Sequence, residues 1–377
     1  MVNNKFVFVV YKSIRMAGFQ TDESLLRNID AKIKQLGRTN IIVVGRTGVG
    51  KSTLINAVFK EDVATTGTGS PVTKNIQKYV IPGTSVTLYD SRGLEMKEYK
   101  KIMDEVCSFI KQCQKNKDIN EHIHIAWMCI SQTSNRLEEG EIAFVEMISK
   151  YIPVIIVITQ SYDEDNTLFN VIQQKFQDPK VIPVVAKEKI IRSEYPPIPS
   201  AGLPILVKMT QELLPAAQQI AFLAAQNADF SAKILKAHAI VGTSAIAAAA
   251  AGAIPIPFSD MAVLIPIEIG MIISITAVLG FEIERSVIIA LWGIFSTASG
   301  ASVVGLGLAS LLKFIPGVGS IAGGIIDAAV ATSITTAFGE AYIGILVVLF
   351  NENNGAKPTK DQFLAKCKQE WKKKQDS

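Results

Sequence analysis

The stretch that most constrains this chain is NIIVVGRTGVGKSTLINAVF, residues 40–59, where a β-branched apolar run ends in Gly45-x-x-x-x-Gly50-Lys51-Ser52 and passes straight into a helical pattern. A glycine-rich turn between a strand and a helix lets successive backbone N–H groups face inward, and the helix N-terminus adds its dipole, so the stretch reads as a loop that wraps phosphates. In that reading Gly45, Thr47, Gly48, Val49, Gly50, Lys51, Ser52 and Thr53 line the phosphates. Lys51 is the point charge at the terminal phosphate oxygens, and the Ser52 hydroxyl is a ligand of Mg²⁺.

Further apolar runs lie at 85–90, 123–130, 153–159 and 181–186, separated by polar segments long enough for crossover helices. Near-continuous apolar strands alternating with helices predict a doubly wound, mostly parallel α/β sheet over residues 38–228. Residues 21–36, TDESLLRNIDAKIKQL, carry a capping Thr21 and Leu25, Ile29 and Ile33 at helical spacing. They predict a helix in an N-terminal segment (1–37) packed beside that domain. The stretch KFVFVVYKSIR at 5–15 is too short for a signal-peptide core and reads as an edge strand or short amphipathic anchor.

A phosphate loop needs a carboxylate on the metal side. Asp90 closes the strand VTLYD, and Asp90-Ser-Arg-Gly93 has D-x-x-G spacing. Asp90 would hold Mg²⁺ through water, and the Gly93 N–H would meet the γ-phosphate. Between the motifs lies TTGTGSPVTKNIQKY (65–79), from which one threonine should reach both Mg²⁺ and the γ-phosphate. Pro71 and the strand near Gln77 favour Thr73, with Thr65, Thr66 and Thr68 as alternatives. The base-recognising pattern Asn/Thr-Lys-x-Asp is altered here to Thr159-Gln160-Ser-Tyr-Asp163, and Ala186-Lys187 after the next strand suit the loop that meets the base oxygen. Guanine is the expected base, through Asp163 shifted by one residue.

Together, Gly45–Thr53, Asp90–Gly93, the altered base motif and the SPVT segment resemble the translation-factor-related P-loop GTPases, in the branch described as 50S-ribosome-binding-like GTPases, over roughly residues 38–190. The resemblance implies Mg²⁺-dependent hydrolysis of GTP to GDP and phosphate. It does not imply a ribosomal role. Ras-type relatives carry a water-orienting glutamine after the D-x-x-G glycine, where this chain has Leu94. Arg92, Glu95 or a group supplied in trans would have to substitute, and slow basal turnover that rises on assembly is expected.

Composition changes near residue 229. Between 231 and 350 the chain carries ten charged side chains, and residues 237–259 and 286–312 carry none of Asp, Glu, Lys or Arg. Each of these runs is long enough to cross a hydrocarbon core. Ile254-Pro255 with Ser259 and Ile315-Pro316 with Ser320 place a helix stop and a helix cap at the same offset, which predicts an all-α domain of hydrophobic helical hairpins over 229–350. Glu268, Asp327 and Glu340 interrupt the apolar helices and would each need a polar partner. Residues 237–260 and 313–343 resemble domain-of-unknown-function family 697, which implies membrane association, although a tight soluble bundle also fits the small residues. The tail, 351–377, spaces Phe363, Cys367 and Trp371 as one stripe among lysines and suits either anionic lipid or packing on the protein itself.

Thirty-eight Lys+Arg against 34 Asp+Glu leave a net charge of +4, which gives no reason to expect nucleic acid as a specific partner. The four cysteines show no metal-ligand spacing, so a reducing compartment is expected, at the cytoplasmic face of a membrane such as the bacterial inner membrane, or in the cytoplasm. The leading expectation is a GTP/GDP switch coupled to a membrane-associated helical domain, with homo-oligomers possible. The alternatives are a non-enzymatic GTP-binding scaffold with a soluble bundle, and a self-assembling dynamin-like or immunity-type membrane remodeller.

Overall fold

The computed structural model describes residues 27, 29–33, 36–59, 70–73, 76–82, 84–91, 99–162, 165–176, 180–190, 195–252, 260–281, 284–297, 328–353 and 358–376. The chain divides into two compact units, Gly37–Ala232 and a helical one of Met1–Leu36 with Lys233–Ser377.

The first unit is built on a seven-stranded sheet in the order β2-β3-β4-β1-β5-β6-β7. Its strands are β1 (Thr39–Gly45), β2 (Ser70–Pro71), β3 (Ile76–Val80), β4 (Val86–Ser91), β5 (Ile125–Ser131), β6 (Val154–Thr159) and β7 (Lys180–Val184). The ladders β4-β1-β5-β6-β7 are parallel, while β3 pairs antiparallel with β4 and with β2 at one edge. Every residue of β1, β5 and β6 is buried, as expected of strands covered on both faces. The helices are α1 (Lys51–Phe59), α2 (Tyr99–Gln114), α3 (Glu139–Ile148), α4 (Thr167–Lys175), α5 (Leu203–Leu213) and α6 (Ala216–Ala225).

Strand alternation decides which helices cover which face. Ile42 and Val44 of β1, Met128 of β5 and Ile156 of β6 pack with Val106 and Ile110 of α2 and Phe144 and Val145 of α3. On the other face the fully buried Trp127 stacks on Phe59 of α1 with ring centres 6.3 Å apart, and meets Phe222 of α6 edge-on at 6.4 Å. Such a pair contributes about 1 kcal/mol beyond its buried area. The indole N–H donates to Thr210 Oγ1 of α5 at 3.1 Å, so this large ring leaves no polar atom orphaned. α6 is tied to the start of β1 by Thr39 Oγ1 donating to Gln218 O at 2.7 Å, and Asn227 N donates to Val58 O at 2.8 Å beyond the end of α6.

The helical unit contains α7 (Phe230–Gly252), α8 (Asp260–Val278), α9 (Arg285–Thr297), α10 (Ala328–Glu352) and α11 (Lys360–Asp376). α8 packs on α9 and α10, and α11 packs on α9 and α10. Small residues permit the close crossings: a Cβ added at Gly339 of α10 would lie 2.5 Å from Val241 Cγ2 of α7 and 2.9 Å from Met271 Sδ of α8. Tyr342 and Thr276 share a buried hydroxyl hydrogen bond of 2.7 Å between α10 and α8. The proline–serine turns at 254–259 and 315–320 lie outside the described residues, as do Asp327 and the 5–15 stretch.

One expectation changes, and one left open is decided. The helical residues 29–33 group with the helical unit and not with the sheet: Ile29 is buried, Asp30 pairs with Arg285 at 3.3 Å, and the Lys32 chain runs along Gly270. An apolar stripe calls for a partner surface but does not say which, and the helical unit supplies it. The tail helix α11 packs on its own protein, burying Phe363 and Cys367 fully, with Phe363 against Phe281 at 5.3 Å between ring centres. Lys360 and Lys366 pair with Glu284 and Glu352 at 2.8 and 2.7 Å, which leaves that part of the basic stripe engaged in the protein.

Candidate functional site

The sheet order places β1 between β4 and β5, so the strands that follow β1 are laid down first on one side of it (β2–β4) and then on the other (β5–β7). In open α/β sheets that reversal opens a crevice for ligands. Gly45 ends β1 there, and α1 starts at Lys51. Only glycine fits at 45, because a Cβ would stand 2.4 Å from Cys129 O on β5, and Gly50 has φ +96, in the region that favours glycine. Thr47 and Gly48 are exposed at the tip, Val49 is buried beneath it, and Ser52 and Thr53 are exposed on the first turn of α1.

Lys51 turns back into its own loop, where Nζ donates to Gly45 O and Arg46 O at 3.0 Å each. The residue is 9% exposed, so its charge is held where phosphate oxygens would be wrapped. Asp90 on β4 stands in register with Val43, two residues before Gly45. Among the described residues its Oδ1 is buried without a hydrogen-bond partner. Burial lifts the Asp90 carboxyl to about 6, with Lys51 pulling the other way. A buried, orphaned carboxylate facing a lysine-bearing phosphate loop is a donor in want of a cation. Together with the exposed Ser52 hydroxyl it fits a hydrated Mg²⁺ held mainly by phosphate oxygens.

On the opposite side, Thr159 Oγ1 donates to Val49 O at 2.5 Å, fastening the end of β6 under the loop. Gln160 follows in the left-handed region at φ +55, a conformation costing a non-glycine residue on the order of 1 kcal/mol. Its Nε2 donates to Gly48 O at 3.3 Å, and its Oε1 accepts from Ser131 Oγ at 2.6 Å and Thr133 Oγ1 at 3.3 Å. Ala186, half-buried, and Lys187, exposed, follow β7 beside Val185, whose N–H donates to Ala201 O at 3.0 Å. Thr73 sits in the β2–β3 turn, its N–H donating to Ile76 O at 3.3 Å.

The structure therefore brings Gly45–Thr53, Asp90, Thr159 and Gln160 to one end of the sheet. Gly93, Asp163, Leu94 and the alternatives Thr65, Thr66 and Thr68 lie outside the described residues, together with Arg92 and Glu95. Two groups carry no motif and are visible only in the fold. Ser131 and Thr133 hold Gln160, and their one sequence signal is that they follow the carboxyl end of a central strand. Arg46 of the loop is braced by Glu138 at 2.6 Å, which Arg136 also meets at 3.1 Å. Glu138 additionally caps α3 through a reciprocal box with Glu141, so the loop is strutted to a helix end.

This arrangement, a mostly parallel sheet with a phosphate loop closing its first central strand, is the P-loop GTPase fold. Residues 40–185 match the family model described as 50S ribosome-binding GTPase. Neuronal-specific septin-3 of Danio rerio is 26% identical over 147 residues, which is 32% of this chain and 41% of that protein. Translocase of chloroplast 108 of Physcomitrium patens is 34% identical over 79 residues, 19% of this chain and 8% of that protein. GTPase Der of Wolinella succinogenes is 43% identical over 60 residues, 15% of this chain and 13% of that protein. The solved structure of a probable GTP-binding protein engB aligns with 46% of this chain and 98% of its own at 21% identity and a TM-score of 0.34. The chain spans less than half the length of each of these three curated relatives.

Proposed function

We propose that the protein is a Mg²⁺-dependent GTP-hydrolysing switch whose helical unit associates with the cytoplasmic face of a membrane. The observation that carries the chemical part is the juxtaposition of Lys51, lodged on two loop carbonyls, with the Asp90 carboxyl one strand away, whose Oδ1 has no hydrogen-bond partner among the described residues. Mg²⁺, when bound, would neutralise charge developing on the transferred phosphate. Ser52 and Asp90 would hold it, with Thr73 closing in from the β2–β3 turn. The chain's own contribution is positioning: loop N–H groups surround the phosphates, Lys51 sets a fixed charge, and β4 fixes the carboxylate. Gly93, at the end of the D-x-x-G run, is the residue through which the γ-phosphate would be sensed. Guanine selectivity is assigned to Asp163, with Thr159, Ala186 and Lys187 framing the base.

Supporting the membrane part, α7 and α10 are each long and apolar enough to cross a bilayer, with mean hydropathies of 1.5 and 1.7. α7 also exposes Leu235 at 70% and Ile246 at 72%, with Ala239, Gly242 and Thr243 exposed between them and Ala247 just beyond. The likeness of 237–260 and 313–343 to domain-of-unknown-function family 697 points the same way. Glu340 finds a polar partner in His238 at 2.9 Å, linking these two helices, whereas Glu268 is buried with Oε1 unpartnered among the described residues. Turnover and sedimentation with anionic liposomes, measured together on the full chain, test the proposal. Hydrolysis with no liposome affinity in either nucleotide state leaves the soluble-bundle reading.

A further inference from the structure

We propose that Gln160 is a neutral tether that makes the nucleotide site release diphosphate readily, without help from an exchange factor. The inference rests on the guanine-nucleotide reading above and deepens it. Where the related pattern places a lysine, this chain places an amide that makes three contacts: Nε2 to Gly48 O at 3.3 Å, and Oε1 to the hydroxyls of Ser131 and Thr133 at 2.6 and 3.3 Å. The orientation follows from the partners. A carbonyl can only accept, so Nε2 must face Gly48, and Oε1 then takes the two hydroxyl protons.

The backbone at Gln160 adopts φ +55, and the side chain reaches the phosphate loop at Gly48. The tip of the loop is thus tied to the ends of β5 and β6, while Thr159 ties its base through Val49 O at 2.5 Å. What the glutamine withholds is charge. An ammonium beside Gly48 would attract the polyphosphate through the whole bound lifetime, whereas an amide gives position alone. The neighbouring Lys189 does not replace it, because its Nζ is drawn over the Tyr162 ring, 5.6 Å from the ring centre. The architecture of a tight site is therefore kept and one of its electrostatic attractions is missing. Gln160 is a positioning residue, acting on the nucleotide through Gly48.

The test is displacement of N-methylanthraniloyl-GDP by excess GDP from the full-length protein, followed by stopped-flow fluorescence for wild type, Gln160→Lys, Gln160→Leu and Ser131→Ala. Gln160→Lys is expected to slow release by about tenfold, since a charge-assisted contact replaces a neutral one. Gln160→Leu should speed release by about tenfold and Ser131→Ala by less, because the hydroxyl only orients the amide. A merely structural glutamine would not be improved upon, so slowing by lysine is the diagnostic outcome. If the wild type binds the probe and Gln160→Lys releases it as fast or faster, the tether inference is wrong while the nucleotide reading stands. If the wild type does not bind the probe at all, the guanine-nucleotide reading falls and the tether with it.

Discussion

Asp90 on β4 and Val43 on β1 are register partners in a parallel ladder, and that pairing sets a buried carboxylate beside the mouth of the phosphate loop. Among the described residues Oδ1 of this group has no hydrogen-bond partner, an arrangement that is costly unless something else completes it. Function and stability should therefore oppose each other at this residue.

Asp90→Asn is the direct test of that opposition. Removing the buried charge should raise the unfolding free energy of the nucleotide-free protein by about 1–2 kcal/mol. The same change should lower Mg²⁺-dependent GTP turnover by at least about 100-fold. Thermal or urea denaturation read beside a phosphate-release assay checks both. A variant both less stable and fully active would contradict the assignment.

The pH dependence follows from the same carboxyl, which burial lifts from 3.8 to about 6. Between those values the folded state binds more protons at Asp90 than the unfolded chain does. The Asp90 contribution to stability therefore falls as pH rises from about 4 to about 6 and is flat above that. Its size is at most about 3 kcal/mol. Wild type and Asp90→Asn, denatured side by side across this range, should diverge as pH rises. Binding of Mg²⁺ with nucleotide should show the opposite trend and weaken below pH about 6, because the ligand is the ionised carboxylate.

In the helical unit, Gly339 and Gly242 make a matched pair of tests. An added Cβ at Gly339 meets Val241 and Met271 at 2.5 and 2.9 Å, whereas at Gly242 it meets nothing within 4 Å. Gly339→Ala should cost about 1–2 kcal/mol through overpacking, despite the better helix propensity. Gly242→Ala should stabilise by up to about 1 kcal/mol. Equal effects in denaturation would mean that the crossing at Gly339 is looser than described.

Ile246 is 72% exposed on α7, so Ile246→Lys should leave the fold intact. If this face meets lipid, the substitution should abolish co-sedimentation with liposomes, and Leu235→Lys should act alike. Unchanged sedimentation of both variants would exclude this face as the membrane contact.

How much of this was legible in the sequence depends on the range of the forces involved. The runs at 41–45, 85–90, 123–130 and 153–159 became inner strands, and the run at 181–186 the edge strand β7, because β-branched apolar residues in such runs leave little alternative. Asp90 was legible because D-x-x-G fixes its distance from a strand end. The part played by Gln160 was not, since its partners Ser131 and Thr133 are 29 and 27 positions away and belong to no motif. The partner of residues 29–33 was hidden for a related reason. An amphipathic stripe records that a face will be buried, and the surface that buries it is set by the tertiary fold. The tail helix shows the same limit, since its lysines read equally well as lipid-facing until Glu284 and Glu352 appear opposite them.

The measurement closest to the central claim is GTP hydrolysis by the 377-residue chain with Mg²⁺ and with chelator, in wild type and Lys51→Ala. Lys51 lies inside the loop on two of its carbonyls at 3.0 Å, where it can turn to phosphate oxygens, so its removal should cut turnover or tight binding to background. The account predicts slow, Mg²⁺-dependent phosphate release by the wild type and none above background by the variant or with chelator. Wild-type rates in Lys51→Ala, or turnover indifferent to Mg²⁺, would contradict it.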